Sequence, residues 1–258
     1  MKAAVCQMEI EFENKENNLK RAEKFIAAAA MENADIIFFP EMSFTGFSMN
    51  IEKTGEMDEY SKKRICQAAS KHKIAIGFGV TVLRNGKGEN HYILSDKNGK
   101  VISDYIKLHS FSIGGEREQF RKGNNVVTAH ICGRYISTFI CYDLRFPEIF
   151  RAAAGVSSII AVAANWPSAR SMHWTALLRA RAIENQVYVI GINCTGRQEN
   201  IEYSGDSCVI SPSGEIMYQA KSGAEELFFC DIPDNVDEIR KEFPVLNDRR
   251  ADFYRKLI

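Results

Sequence analysis

Ser137-Thr-Phe-Ile-Cys-Tyr-Asp-Leu-Arg-Phe-Pro147 begins as an apolar run of the kind that forms a buried strand, and it breaks off at Cys141. Pro147 then opens an alanine-rich stretch that ends at Gly155. Pro suits the first turn of a helix, where its missing N–H costs nothing, and Gly suits the position just past the end. The segment therefore reads as strand, tight turn and helix, with a thiol at the strand tip beside a helix start. Thiol pKa values fall at helix N-termini and next to cations, and the thiolate is the nucleophilic form. Cys141 is a candidate nucleophile if the rest of the chain supplies partners.

The pattern around it repeats. Upstream, strands are expected at residues 3–8, 35–39, 74–83, 91–95, 100–107 and 126–132, with helices at 18–33 and 57–73. In the first helix Leu19, Ala22, Phe25, Ile26, Ala29 and Ala30 share one face at helical spacing. The run Asp35-Ile-Ile-Phe-Phe39 is apolar throughout, as in a strand covered on both sides. Downstream, strands are expected at 158–165, 187–194, 207–211, 215–219 and 226–232, with a helix at Ser171–Asn185 between the first two. No linker or repeat divides the 258 residues, so a single domain over 1–258 is expected, with a charged, partly helical tail at 234–258. The fold class is α/β. Two strand–helix–strand halves suggest two mixed sheets packed together with helices outside, although periodicity alone leaves an open doubly wound sheet as the alternative.

Composition narrows the partners. Lys+Arg and Asp+Glu both number 33, so nothing favours nucleic acid or an anionic membrane surface. Seven scattered cysteines without a C-x-x-C pair argue against a disulfide framework and for a reducing compartment. The first residues, Met1-Lys-Ala-Ala-Val-Cys-Gln-Met8, lack the apolar core and cleavage site of a signal peptide. A cytoplasmic protein without a membrane span is expected.

Three reactive residues follow apolar runs: Glu41, Lys107 and Cys141. Sites in α/β sheets commonly lie beyond the carboxyl ends of strands, so three parallel strands side by side would bring these groups together. The chemistry then assigns roles. Cys141 attacks, a semi-buried Glu41 exchanges the thiol proton, and a protonated Lys107 stabilises a developing oxyanion, helped by the Tyr142 backbone N–H. His109 with Cys141 offers a competing thiol–imidazole pair. His130 and Cys132 have no second ligand pair at zinc spacing, so no metal is expected. Gly77-Phe-Gly79 lacks the rest of a dinucleotide fingerprint.

The segments Pro40-Glu41-Met-Ser-Phe-Thr-Gly46-Phe, Tyr105-Ile-Lys107-Leu-His-Ser-Phe and Ile140-Cys141-Tyr-Asp-Leu-Arg-Phe-Pro-Glu resemble the three signature segments of the nitrilase superfamily, the carbon–nitrogen hydrolases. A further block, Ala164-Asn-Trp-Pro-Ser-Ala-Arg170 with His173-Trp174 and residues 180–188, resembles the omega-amidase branch. The resemblance spans about residues 3 to 245. It implies a four-layer αββα sandwich paired into a homodimer, and a Glu–Lys–Cys triad without cofactor or metal; the apolar groups of the tail fit either a second subunit or the chain's own domain. It also implies a supporting glutamate seven residues before a Gly. Glu116 fits that position relative to Gly123, with Glu118 as competitor. The implied reaction is hydrolysis of a small carboxylate-bearing amide such as 2-oxoglutaramate or 2-oxosuccinamate, through a cysteine thioester and with release of ammonia. Arg145 and Arg170 are candidates for the substrate carboxylate, unless one of them pairs with Glu148. Phe44 and Trp166 are candidate pocket walls. Residues 110–115 depart from the family's usual wording at a loop bordering the pocket, which leaves substrate identity more open than reaction class. A nitrilase, an N-carbamoyl amidohydrolase and a non-catalytic binding protein on the same fold are the alternatives.

Overall fold

The structure, a computed structural model, describes residues 1–256; the last two residues of the expected tail lie outside the described residues. The first half runs β1 (Lys2–Gln7), α1 (Lys15–Met31), β2 (Ile36–Phe38), α2 (Ile51–Thr54), α3 (Tyr60–His72), β3 (Ala75–Arg84), β4 (Lys87–Ser95) and β5 (Val101–Ile106). The middle contributes α4 (Glu116–Gln119), β6 (Phe120–Arg121), β7 (Thr128–Ile131), β8 (Arg134–Ile140), α5 (Pro147–Ala153), β9 (Ile159–Ala164), α6 (Ser171–Asn185) and β10 (Tyr188–Asn193). The chain then forms β11 (Thr195–Gln198), β12 (Ile201–Ser204), β13 (Cys208–Ile210), β14 (Ile216–Gln219), β15 (Glu226–Asp231), α7 (Val236–Glu242) and α8 (Ala251–Tyr254).

One sheet has the order β15-β1-β2-β3-β4-β5, with β6 pairing to β4; the other has the order β14-β13-β10-β9-β8-β7. In the first, β1, β2 and β3 are parallel and β4, β5 and β15 pair antiparallel; in the second, β8, β9 and β10 are parallel and the outer strands antiparallel. Both sheets are mixed.

Side-chain alternation decides between the sandwich and the open sheet. Ala3 and Val5 on β1, Ile36 and Phe38 on β2, and Tyr92, Leu94 and Tyr105 share one core with Phe139, Ile160, Val162 and Ile190 of the second sheet. The intervening residues Ala4, Cys6, Ile37 and Phe39 face the other way and pack against Leu19, Ala22 and Ile26 of α1 and Ile65 and Ala69 of α3. Successive strand residues point to opposite faces, so a strand that is apolar on both faces needs a layer on each side. Trp174, Leu178 and Ala182 of α6 and Phe150 of α5 close the far side of the second sheet. The layers are helix, sheet, sheet, helix.

Local chemistry sets the helix boundaries. Asn14 caps α1 by accepting from Asn17 N, so that helix begins earlier than apolar spacing alone suggested. Glu56 bridges to Val82 of β3, which delays α3 to Tyr60; Lys73, at φ +55°, ends it. The short ribbon β11–β12 was not expected from the sequence.

The three reactive strand ends do not lie side by side. In the first sheet β2 and β5 are separated by β3 and β4, and β8 belongs to the second sheet. Residues 41, 107 and 141 follow β2, β5 and β8, so convergence occurs between sheets. The turn carrying Glu41 is pressed against Gly79 of β3: Ser43 N donates to Gly79 O at 3.0 Å and Gly79 N donates to Ser43 Oγ at 2.9 Å. A Cβ on Gly79 would lie 2.4 Å from Met42 N and 3.0 Å from Glu41 Cα. Gly79→Ala is expected to cost about 1–3 kcal/mol of stability, as overpacking does, read as a lower urea midpoint, and to reduce turnover because the displaced backbone carries Glu41.

Candidate active site

Glu41 leaves β2 through a tight turn in which Met42 has φ +43°, and Cys141 leaves β8 at φ +45°. Non-glycine residues rarely adopt such left-handed values, and strain of this kind persists only where the surroundings enforce it. At Cys141 the enforcing group is Asp143. Its Oδ2 accepts from Ile140 N at 3.1 Å and from the Tyr105 hydroxyl at 2.7 Å, and its Oδ1 accepts from His109 N at 3.0 Å. One buried carboxylate thus ties the Cys141 turn to both ends of the segment holding Lys107.

Lys107 and Glu41 are buried and meet directly. Lys107 Nζ donates to Glu41 Oε1 at 2.8 Å and to Glu116 Oε1 at 3.0 Å. Burial by itself would depress the Lys107 ammonium, but Glu116 and Glu41 outweigh it and hold its pKa above the usual lysine range. Glu116 is 1% exposed and is fixed by Phe111 N, which donates to its Oε2 at 2.7 Å. This separates it from Glu118, which is exposed. Asn90 Nδ2 donates to Glu41 Oε1 at 2.8 Å and to Glu116 Oε1 at 3.1 Å, and Asn165 N donates to Glu41 Oε2 at 2.9 Å.

Cys141 lines a cavity of about 540 Å³ together with Lys107, Tyr142, Asn165, Trp166 and Tyr203, among others. Its Sγ lies 3.8 Å from Asn165 O. The expectation of a lowered thiol pKa is overturned. Burial first, and then the Glu41 carboxylate, push the Cys141 thiol well above its ordinary value, with Lys107 opposing. Two carboxylates and one ammonium leave a net negative field, so the resting group is a thiol that needs a proton acceptor.

The other expected site residues divide. Tyr142, Arg145, Trp166 and Arg170 line the cavity. Phe44 does not: it is 2% exposed and packs against Phe78, at 6.2 Å between ring centroids, on the helix side of the first sheet. The turn after Glu41 directs it inward, and Phe47 takes the wall position instead, 5.4 Å from Lys107 Nζ. The His109–Cys141 pairing fails as well, because the His109 ring stacks on Phe146 at 3.8 Å and its Nδ1 lies 2.8 Å from Asp143 Oδ1. Arg145 has no ion pair with Glu148 among the described residues; it lies over the Trp166 ring at 4.8 Å, with Nη2 3.4 Å from His173 Nδ1. Arg170 sits 5.7 Å from the Phe111 ring centroid. Asn90, Asp143 and Asn165 were missed as site residues. Asp143 and Asn165 lie inside the quoted motifs, whereas nothing in the sequence marks Asn90.

A carbon–nitrogen hydrolase family model matches residues 2–241. The chain is 34% identical over 255 residues to a 2-oxoglutaramate amidase of Bacillus subtilis (strain 168), covering 96% of this chain and 97% of that protein. It is 35% identical over 227 residues to the omega-amidase YafV of Escherichia coli (strain K12), covering 86% of each. Among solved structures, a CN-hydrolase superfamily protein of Xanthomonas campestris, which carries an arsenic adduct in its active site, matches with a TM-score of 0.91 at 28% identity over 97% of both chains.

The raised thiol gives a direct check. In a titration followed at 240 nm, the thiolate step that disappears in Cys141→Ser is expected above pH 9, the ordinary value of the group. A midpoint below about pH 7, as in preformed thiolate pairs, would contradict the assignment.

Proposed function

Because the chain belongs to the carbon–nitrogen hydrolase family, we propose that it releases ammonia from the terminal amide of a small 2-oxo acid, 2-oxoglutaramate or 2-oxosuccinamate, through a thioester on Cys141. The observation that carries this reading is a charged trio around a thiol in a cavity that also holds two guanidinium groups, those of Arg145 and Arg170. Neither arginine is engaged by a carboxylate among the described residues. Guanidinium groups suit the bidentate geometry of a carboxylate.

The steps follow from the geometry. As the Cys141 sulfur attacks the amide carbonyl carbon, the thiol proton passes to Glu41. Of the two Glu41 oxygens, Oε1 already accepts from Lys107 and Asn90, while Oε2 accepts only from Asn165 N. Oε2 is thus the better proton acceptor. The carbonyl oxygen becomes an oxyanion held by the Lys107 ammonium and the Tyr142 N–H, at the free N-terminal end of the turn Cys141–Arg145. Glu41 returns the proton to the departing nitrogen, and ammonia leaves. Water then enters, gives a proton to Glu41 and a hydroxyl to the thioester carbon, and the acid and the thiol are restored. Glu116 and Asn90 orient Lys107 and Glu41 and exchange no proton. Splitting one amide hydrolysis into two displacements is the advantage of covalent catalysis.

The seven free cysteines fit a reducing compartment, the cytoplasm. No helix among the described residues is long and apolar enough to cross a membrane. A homodimer is supported by the exposed apolar groups near the ends of α5 and α6 and along the tail, Val156, Ile183, Phe243, Phe253 and Tyr254. Light scattering at micromolar concentration is expected to give twice the 29.1 kDa of one chain; a monomer counts against it.

Ammonia release from 2-oxoglutaramate tests the main reading, against an N-carbamoyl amino acid, a nitrile and a plain aliphatic amide. Cys141→Ala is expected to abolish turnover, and Lys107→Ala to lower kcat by roughly 10²–10³-fold, the loss typical for an oxyanion donor. Arg145→Leu is expected to raise KM for the oxo acid amide more than for the aliphatic amide. Full activity in Cys141→Ala would end the thioester account. A preference for the nitrile or the carbamoyl compound would reassign the substrate within the family.

A further inference from the structure

The ribbon β11–β12 brings a tyrosine to the cavity. Tyr203 on β12 lines it, yet its side chain is almost wholly enclosed: the residue is 4% exposed, and its ring belongs to the cluster of Phe44, Phe78 and Cys194. A buried tyrosine usually finds a partner for its hydroxyl. Thr195 donates to the Tyr203 backbone carbonyl at 3.3 Å; the phenol oxygen bonds to no group of the described residues and is not among the fully enclosed atoms left without a partner, so the small exposed part of the residue reaches it. An enclosed ring with an unpartnered hydroxyl at a cavity wall is arranged to meet something that enters the cavity.

The strand beneath it is held in place. Gly196 of β11 pairs with Tyr203. Gln198, also on β11, donates through Nε2 to Asn165 Oδ1 at 2.9 Å, and its Oε1 accepts from Phe47 N at 3.0 Å. Asn165 is the residue that donates to the Glu41 carboxylate. The ribbon that carries Tyr203 is therefore tied to the segment beside Glu41 before any ligand arrives, which lowers the cost of binding. Burial raises its pKa above the usual tyrosine range, Cys194, Cys141 and Glu41 add to this, and Arg170 opposes it. The group stays protonated at working pH and is a hydrogen-bond donor.

We propose that Tyr203 determines specificity by donating its hydroxyl hydrogen to an oxygen on the polar tail of the amide substrate, between the scissile carbonyl and the arginines. This role rests on the reading of the substrate as a 2-oxo acid amide. It adds a neutral donor to the two cations and accounts for a polar group that the hydrolysis itself does not use. An amide with an apolar tail gains nothing from the hydroxyl.

The test compares wild type and Tyr203→Phe on 2-oxoglutaramate and on pentanamide, a five-carbon amide without the oxo and carboxylate groups, with a melting curve for each protein. Tyr203→Phe is expected to lower kcat/KM for 2-oxoglutaramate by roughly 10- to 100-fold, as for a lost hydrogen bond to a charged or strongly polar acceptor. Turnover of pentanamide is expected to stay within about twofold, and the melting temperature to be unchanged, because the ring remains and no protein partner is lost. An unchanged ratio between the two substrates overturns the role, as does an equal fall for both. A melting temperature lowered by more than about 5 °C also overturns it, since the hydroxyl would then have a structural partner. If wild type itself prefers pentanamide, the substrate reading fails and the role fails with it; if wild type prefers 2-oxoglutaramate and Tyr203→Phe leaves that preference intact, only the role fails.

Discussion

The ammonium of Lys107, taken out of water and set between the carboxylates of Glu41 and Glu116, is the contact on which the site depends. Removing ions from water costs several kcal/mol each, and the cost is recovered only with close geometry and further hydrogen bonds. Those bonds come from the Asn90 amide and from the backbone N–H groups of Phe111 and Asn165. Deleting one member of such a cluster leaves a buried charge uncompensated, so the arrangement is all or none. It also has a sign. Burial, and two negative groups against one positive group, favour the protonated form of the adjacent thiol.

The sandwich makes this cluster possible. Parallel strands covered on both faces end in rigid tips, and loops beyond those tips can carry polar groups without entering the apolar core. Glu41 and Lys107 leave the first sheet in the same direction, and Cys141 leaves the second. The two sheets thus act as opposing holders. Asp143 spans them at the Cys141 turn by gripping Ile140, Tyr105 and His109 together. Left-handed backbone at Met42 and Cys141 is tolerated because these bonds, and the close approach of Gly79, leave the chain no alternative path.

The cavity above the cluster is asymmetric. Two guanidinium groups line it, Arg145 at 4.8 Å from the Trp166 ring and Arg170 at 5.7 Å from the Phe111 ring, beside the carboxylates of Glu199 and of Glu13, which pairs with Lys53. A guanidinium that stacks on an aromatic face keeps its in-plane donors free. A negatively charged group entering the cavity is drawn to the arginines and away from the carboxylates.

Much of this was legible along the chain. The apolar run ending at Cys141, with Pro147 and Gly155 behind it, determined strand, turn and helix by local rules of backbone and burial. Doubly apolar strands required covering layers on both faces, and the motifs around Glu41, Lys107 and Cys141 marked the groups that meet beside the cavity. The family resemblance pointed to Glu116 with Glu118 as competitor, and burial against Lys107 separated the two. What only the tertiary structure decided were the contacts between segments far apart in sequence. These include the meeting of strand ends from two sheets rather than one, the inward turn of Phe44 in favour of Phe47, and the sequestration of His109 by Asp143. They also include the amide of Asn90 between two glutamates, and a thiol pKa raised rather than lowered. Local patterns fix periodicity and turn type. Which charges face one another in a low-dielectric interior depends on the distances that folding creates, and those distances carry no mark in any single stretch of the sequence.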